Sequence, residues 1–253
     1  LLGEKEYKDG INITPDQIYS WSDANKTTPK TSAPALSETI ELFRPYVEEG
    51  RNIVCFSISN SMSSSGNVMQ LAAEELNAQD LITVIDSANL STGIGLLVIE
   101  AALLAQNNKT AAEISVAVEN LKPYVRASFV VDTLTYLHRG GRCSAIAAMA
   151  GGLLKLHPQI IVEHGAMKPT KKYRGKMDSV ILSYVKDMEP ALKHARPDRV
   201  FITHSGCEPT IINAVRSYLE GLGIFREILE TRAGGVISSH CGPGTLGVLF
   251  IES

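Results

Sequence analysis

Residues 51–59, RNIVCFSIS, and residues 81–86, LITVID, decide the fold. Each stretch is a short run of apolar, β-prone residues that ends in polar side chains, and each precedes a segment with helical periodicity. These helices are expected over 68–77 and 95–106. Continuous apolar strands that alternate with helices are typical of a parallel sheet covered on both faces. The sequence therefore predicts an α/β fold, and ligands of such folds bind at the carboxyl ends of the strands.

Helix starts in this half carry local signals. The tetrapeptides Thr14-Pro15-Asp16-Gln17 and Thr110-Ala111-Ala112-Glu113 are capping boxes, in which a threonine hydroxyl and the side chain three residues later bond to each other's backbone N–H groups. The second helix is expected to run to about Tyr124. A further helix is expected across 37–49, ended by Gly50.

The pattern changes near Arg126, where antiparallel features begin. We expect two domains: a parallel-sheet α/β/α domain at 1–125 and a mixed-sheet α/β domain at 126–253. The second domain is expected to contain, in order, a strand at 128–131, a compact helical segment at 143–154, a hairpin of 159–163 and 168–173 around Gly165, a long helix at 175–195, a strand at 199–204, a helix at 209–220 and two closing strands.

Composition excludes several classes of protein. The 253-residue chain is 44% apolar and 20% charged, which is typical of a large buried core. A formal charge of −3 provides no broad basic face, so sequence-independent binding of nucleic acid is disfavoured. The four cysteines stand singly, without metal-ligand spacing, so neither disulfides nor structural zinc are expected. This pattern predicts that the protein is located in the reducing cytoplasm. The most apolar stretches are too short for stable membrane insertion, and no secretory signal opens the chain.

Three polar clusters stand at strand or loop ends: Thr31-Ser32, Ser57–Gly66 and Ser238–Gly247. In the last, His240 precedes a glycine-rich loop whose backbone N–H groups could converge on an anion. The alternative is a tight turn into a final strand, capped by the histidine. Helix capping explains one or two serines of the second cluster, and the surplus hydroxyls suit a carboxylate or phosphate. Thr31-Ser32 is an ordinary loop pair when considered alone.

Enzyme motifs match poorly. Gly93-Ile94-Gly95 lacks the third glycine of a dinucleotide fingerprint, and the chain contains neither a phosphate-binding P-loop nor a G-x-S-x-G nucleophile motif. Ser63, His240 and Asp86 could form a triad, so a serine hydrolase acting on a lipid-like ester remains an alternative. A regulatory protein that senses a small anion is another. The basic residues between 139 and 176 fit equally a solvated hairpin edge and a docking patch for an acidic partner or a phosphorylated ligand.

Several motifs in order resemble the DegV family of bacterial fatty-acid-binding proteins, and the resemblance covers nearly the whole chain. They are TSAPA at 31–35, ISNSMSS at 58–64, IDSANLSTGIG at 85–95, YLHRGGR at 136–142 and HCGPGTLG at 240–247. The resemblance implies a non-enzymatic, two-domain carrier, without cofactor or metal, that serves phospholipid synthesis. Its first domain would hold a long-chain fatty acid in a buried tunnel, with the carboxylate near the domain junction.

The resemblance also implies roles for single residues. Thr31, Ser32 and Ser63 are similar to the hydroxyl donors to the carboxylate, and His240, with Gly242 in its loop, completes the set. Two arginines resemble family residues at the mouth of the site, where the acid is presented to a partner fatty acid kinase: Arg142 and Arg174.

The chain departs from the family pattern in three places. Ser64-Ser65-Gly66 stands where members typically have Gly-Thr-Tyr, and Ala33-Pro34-Ala35 stands where they have Gln-Pro-Ser. The family's opening strand is expected to be missing, since the chain begins Leu1-Leu2-Gly3.

The composition fits the physical requirements of a fatty acid carrier. Each buried CH₂ of an acyl chain contributes about 0.8 kcal/mol, and an aromatic content of 6% leaves aliphatic side chains to line a narrow tunnel.

Overall fold

The computed structural model describes residues 1–143 and 156–253. The helices of these residues are α1 (Pro15–Asn25), α2 (Leu36–Glu48), α3 (Ser65–Glu75), α4 (Ser91–Gln106), α5 (Ala111–Leu121), α6 (Thr135–Gly140), α7 (Met177–Asp187), α8 (Glu189–Leu192), α9 (Pro209–Gly221) and α10 (Gly235–Cys241), with a 3₁₀ turn at Lys122–Tyr124. The strands are β1 (Ile53–Ser57), β2 (Ile82–Asp86), β3 (Val125–Val130), β4 (Leu156–Glu163), β5 (Ala166–Arg174), β6 (Ala195–His204), β7 (Glu227–Arg232) and β8 (Leu246–Glu252). The compact helical segment predicted at 143–154 lies, from residue 144 onward, outside the described residues.

The chain forms two compact units. Unit 1 comprises Leu1–Thr31, Arg126–Glu163 and Met167–Ser253, and unit 2 comprises Ser32–Val125 with His164–Ala166. The predicted α/β fold is confirmed, with a small parallel sheet in unit 2 and a larger mixed sheet in unit 1.

Unit 2 is built on strands β1 and β2, which pair in parallel from Ile53 opposite Ile82 to Ser57 opposite Asp86. Small buried side chains, including Ala72 and Ala73 of α3, allow helices α2 and α3 to pack closely over the sheet. Because both strands end at the same edge, the loops that follow them are neighbours. The N–H of Ser59 donates to the carbonyl of Asn89 at 2.9 Å and joins the two loops.

Unit 1 contains a six-stranded sheet in the order β5-β4-β3-β8-β6-β7. Strand β6 is parallel to β7 and antiparallel to β8, and β3 is antiparallel to β4. The fully buried Tyr184 of helix α7 is bonded to two strands of this sheet: its hydroxyl donates to the carbonyl of Ser128 at 2.8 Å and accepts from the N–H of Val248 at 3.0 Å. Burial raises the pKa of Tyr184, so this hydroxyl remains a donor at neutral pH.

The units differ from the predicted division at 1–125 and 126–253, because residues 1–31 belong with the second half of the chain. Helix α1 packs against α10, and Asp16 forms an ion pair with Arg232. The carboxylate of Asp9 also accepts hydrogen bonds from the N-terminus of α10. These partners lie more than 200 positions apart in sequence, where local patterns carry no signal for them.

The predicted helix at 175–195 is wrong in its continuity. Helix α7 ends at Asp187, and a separate turn, α8, begins at Glu189. Pro190 accounts for the break, since it has no N–H to donate and its ring would clash with the carbonyl of Lys186 in a continuous helix.

Among the described helices, none combines the length and the apolar character that a bilayer span requires.

Candidate functional site

His240 lies in the last turn of helix α10, in unit 1. The sequence pattern places His240 just before a glycine-rich loop and predicts no helix at these residues, so helix α10 is a correction. The predicted turn is present only from Gly242 onward, and strand β8 follows it. A short helix holds the imidazole more rigidly than a loop would, because its backbone is fixed by hydrogen bonds.

The imidazole of His240 is bonded to Thr31, which lies 209 positions earlier in the same unit. The distance from Thr31 Oγ1 to His240 Nε2 is 2.7 Å. His240 Nδ1 is buried and has no hydrogen-bond partner among the described residues. An unpaired buried acceptor is better tolerated than an unpaired N–H, so this arrangement favours the tautomer with the proton on Nε2. In that tautomer His240 donates to Thr31, and the threonine hydroxyl hydrogen is free for a ligand.

His240 is electrically neutral at physiological pH. Burial, followed by the nearby positive charge of Arg142, lowers the pKa of its imidazole to about 4. The Thr31–His240 pair therefore offers one neutral hydrogen-bond donor, the hydroxyl of Thr31, which His240 orients.

Two glycines make room for the side chains around His240. A Cβ at Gly140, the last residue of α6, would lie 2.2 Å from His240 Nδ1, and a Cβ at Gly242 would lie 2.6 Å from the ring of the buried Tyr136. Gly242 also has φ +76° and ψ 172°, a region that is essentially restricted to glycine. Gly140 and Gly242 thus have steric roles at this site.

Three backbone N–H groups of the HCGPGT loop donate hydrogen bonds to acceptors within the protein. Gly242 N donates to the carbonyl of Ser238 at 2.9 Å, Gly244 N to the carbonyl of Ser205 at 3.2 Å, and Thr245 N to Ser205 Oγ at 3.1 Å. The expected convergence of free N–H groups on an anion is therefore not observed at these three residues. These hydrogen bonds instead hold the backbone that follows His240 in place.

Ser63, in unit 2, is partly buried and lies just before helix α3. Its Oγ lies 2.8 Å from Ser65 Oγ and accepts from Ser65 N at 3.2 Å. Two other serines of the cluster, Ser59 and Ser61, donate to the carbonyl of Gly165. The hydroxyls of this loop thus have several partners, and helix capping accounts for few of them.

Ser32 is exposed, at the start of unit 2 and next to Thr31 in sequence.

The hydrolase alternative finds no support in the geometry. Asp86 Oδ1 accepts from the backbone N–H groups of Ala88 at 2.9 Å and Asn60 at 3.3 Å, which makes it a loop-fixing residue. In a triad, a carboxylate orients the histidine through its second ring nitrogen. Among the described residues, His240 Nδ1 has no such partner.

The two arginines with a predicted docking role, Arg142 and Arg174, are both exposed in unit 1. Arg142 Nη1 donates to the carbonyl of Gly140 at 2.7 Å, which places its charge beside the His240 site. Arg174 ends β5, the edge strand of the sheet. On this strand Lys168 pairs with Glu163 at 3.0 Å and Lys171 with Asp187 at 2.5 Å. These pairs agree with a charged, protected edge, so the strand by itself does not identify a docking patch.

Within residues 1–143 and 156–253, no group of three or more His, Cys, Asp or Glu side chains is arranged to hold a metal ion.

Sequence reasoning missed the steric roles of two residues at this site: Tyr136, beside Gly242, and Gly140, beside His240. A pattern search could have found only the last, through the unusual pair Gly140-Gly141 next to a basic turn. Gly141 has φ +67° and ends helix α6, so the second glycine serves the backbone and the first serves the imidazole.

Comparison with known proteins places this chain in a family. The model of the DegV family, described as "Uncharacterised protein, DegV family", matches residues 1–253. The chain belongs to the DegV family. A DegV domain-containing protein of Clostridium perfringens is 32% identical over 256 residues, which cover 99% of this chain and 87% of that protein.

Solved structures of the family share the fold. One, titled as the fatty acid binding of a DegV family protein from Thermus thermophilus, is 27% identical with a TM-score of 0.87, over 98% of this chain and 87% of that one. Another, a stearic-acid-binding protein from Eubacterium ventriosum, is 27% identical with a TM-score of 0.83, over 99% of this chain and 87% of that one. These structural neighbours are fatty-acid-binding proteins.

Proposed function

We propose that this protein is a non-enzymatic carrier that binds one long-chain fatty acid. The carboxylate is held by Thr31, Ser32, Ser63 and His240, and the acyl chain lies in a buried tunnel of the N-terminal α/β domain. Gly242 contributes by seating Tyr136 beside the His240 helix. The observation that carries the proposal is the neutral Thr31–His240 pair. Family membership and the fatty-acid-binding neighbours support it.

The energetics divide between the tail and the head of the ligand. A dozen buried methylenes, each contributing about 0.8 kcal/mol, supply the affinity even after ordering costs are subtracted. Each neutral donor at the head adds roughly 1 kcal/mol. Tail burial therefore sets affinity, and the hydroxyls and imidazole set the position and orientation of the carboxylate.

We expect Thr31→Val and His240→Ala to weaken binding of palmitate by about five- to tenfold each, because each removes a donor or its orienting partner. Isothermal titration of delipidated protein measures the change. Thr27→Val is the matched control, since Thr27 is an exposed threonine of the same segment. Equal affinities for the Thr31 and Thr27 variants would remove Thr31 from the head-group set.

The chemistry that follows belongs to a partner: a fatty acid kinase that phosphorylates the presented carboxylate and docks against Arg142 and Arg174. We expect Arg174→Ala to lower the rate of acyl phosphate formation by a bacterial fatty acid kinase several-fold while palmitate still binds. The rate is measured with ATP and radiolabelled palmitate, and Arg226→Ala serves as a control at another exposed arginine, just before strand β7. A rate equal to that of the wild type for both Arg142→Ala and Arg174→Ala would remove the docking role.

A further inference from the structure

The two ends of helix α10 are both bonded to the segment Leu1–Thr31. At its C-terminal end His240 Nε2 contacts Thr31 Oγ1 at 2.7 Å. At its N-terminal end Gly235 N donates to Asp9 Oδ1 at 2.6 Å and Val236 N donates to Asp9 Oδ2 at 2.8 Å. Both carboxylate oxygens of Asp9 are thus used on the first two N–H groups of the helix that carries His240.

Asp9 replaces a local helix cap. The N-cap residue of α10 is Gly234, which has no side chain to accept a hydrogen bond. A carboxylate at a helix N-terminus satisfies free N–H groups and interacts favourably with the helix dipole. Here that carboxylate comes from a residue 226 positions away.

The sequence of the helix start leaves room for this contact. A Cβ at Gly235 would lie 2.7 Å from Asp9 Oδ1 and 2.8 Å from Ile18 Cδ1, and a Cβ at Gly234 would lie 3.1 Å from Asp9 Oδ2. Asp9 and Ile18 therefore occupy the space that side chains at 234 and 235 would fill. The contact of Asp9 with the helix therefore requires residues without a side chain at both 234 and 235.

Helix α10 depends on such anchors. It contains seven residues, and helices of this length are not stable alone in water. His240 lies about 6 Å along the axis from Val236, at ~1.5 Å per residue, so a shift or fraying of the first turn would be carried to the imidazole. A contact of 2.7 Å does not tolerate a displacement of 1 Å.

We propose that Asp9 is a positioning residue for the fatty acid head group. Its carboxylate fixes helix α10 and so holds His240 Nε2 against Thr31, without touching the ligand itself. This inference rests on the proposed function for its effect on binding, but its effect on His240 is independent of any ligand.

The test uses the full chain with Asp9→Ala and Asp9→Asn, read out in two ways. The first readout is the imidazole ¹H–¹⁵N spectrum of ¹⁵N-histidine-labelled protein, assigned with His240→Gln. The second is palmitate affinity. We expect Asp9→Ala to shift or broaden the His240 Nε2 resonance and to weaken palmitate binding by about fivefold, no more than His240→Ala does, because Asp9 acts through His240. Asp9→Asn retains one acceptor and should give a smaller change, and it replaces Asp9→Ala if that variant does not fold.

Asp16→Asn is the matched control. It breaks the ion pair with Arg232 in the same segment but leaves the N–H groups of α10 bonded to Asp9. We expect it to leave the His240 resonance in place. An unchanged resonance and an unchanged affinity in Asp9→Ala would overturn the proposal, as would an equal change in Asp16→Asn. If the wild type binds no palmitate, the proposed function fails, and the imidazole spectrum alone decides the role of Asp9.

Discussion

Gly140→Ala is expected to weaken fatty acid binding as much as removal of His240 does, while leaving the protein folded. The added Cβ would lie 2.2 Å from His240 Nδ1, 3.1 Å from its Cε1 and 3.3 Å from its Cγ, so the imidazole must leave its position. The Thr31–His240 hydrogen bond is then lost. We expect palmitate affinity to fall about five- to tenfold and the free energy of unfolding to fall by about 1–3 kcal/mol, the usual cost of overpacking a buried site.

Gly221→Ala is a matched control for this substitution. Gly221 is also the last residue of a helix, and a Cβ there would meet nothing within 4 Å. It should therefore leave both affinity and stability close to those of the wild type. Wild-type palmitate affinity in Gly140→Ala would contradict the proposed role of His240, because the substitution cannot leave the ring where it is.

Gly242→Ala is expected to cause the largest loss of stability. Its backbone, at φ +76° and ψ 172°, lies in a region that costs other residues about 1–3 kcal/mol. Its Cβ would also lie 2.6 Å from Tyr136 Cδ2 and 3.0 Å from Cγ, atoms near the base of a buried ring that cannot rotate away. We expect the free energy of unfolding to fall by about 3 kcal/mol or more. Urea denaturation measures it through the fluorescence of the single tryptophan, Trp21 of helix α1.

Gly223→Ala separates backbone strain from the steric clash. Gly223 has φ +64°, and a Cβ there would meet nothing within 4 Å. It should cost only the ~1–2 kcal/mol of a left-handed conformation. If Gly242→Ala is no less stable than Gly223→Ala, the Tyr136 contact does not constrain the loop after His240.

The elements that sequence reasoning predicted correctly are those whose determinants are local. Both capping boxes are present, with Thr14 bonded to Gln17 and Thr110 bonded to Glu113. Strands β1 and β2 also lie within their predicted ranges, since an apolar run of strand length between helices leaves few alternatives.

Helix α10 was missed because its determinant is distant in sequence. Gly234-Gly235 and the following serines are typical of a loop, and only Asp9 makes the helix start favourable. The same holds for the grouping of residues 1–31 with unit 1, which depends on side chains more than 200 positions away.

The features of the candidate site likewise fall into two groups, those that local motifs predict and those that depend on contacts between remote segments. The residue types Thr31, Ser63 and His240 could be selected from motifs, and their proposed role came from a family resemblance. The hydrogen bond from His240 to Thr31, the depressed pKa of the imidazole and the steric role of Gly140 depend on packing between remote segments. No local pattern contains that information.

The central claim is that this protein carries a long-chain fatty acid. The most direct measurement is mass spectrometry of the lipid extracted with organic solvent from the purified wild-type protein, before and after incubation with palmitate. We predict about one long-chain fatty acid per chain, exchangeable with palmitate and not displaced by acetate or inorganic phosphate. Protein that contains no fatty acid and takes up none, or that binds acetate and phosphate in preference to palmitate, would contradict the account.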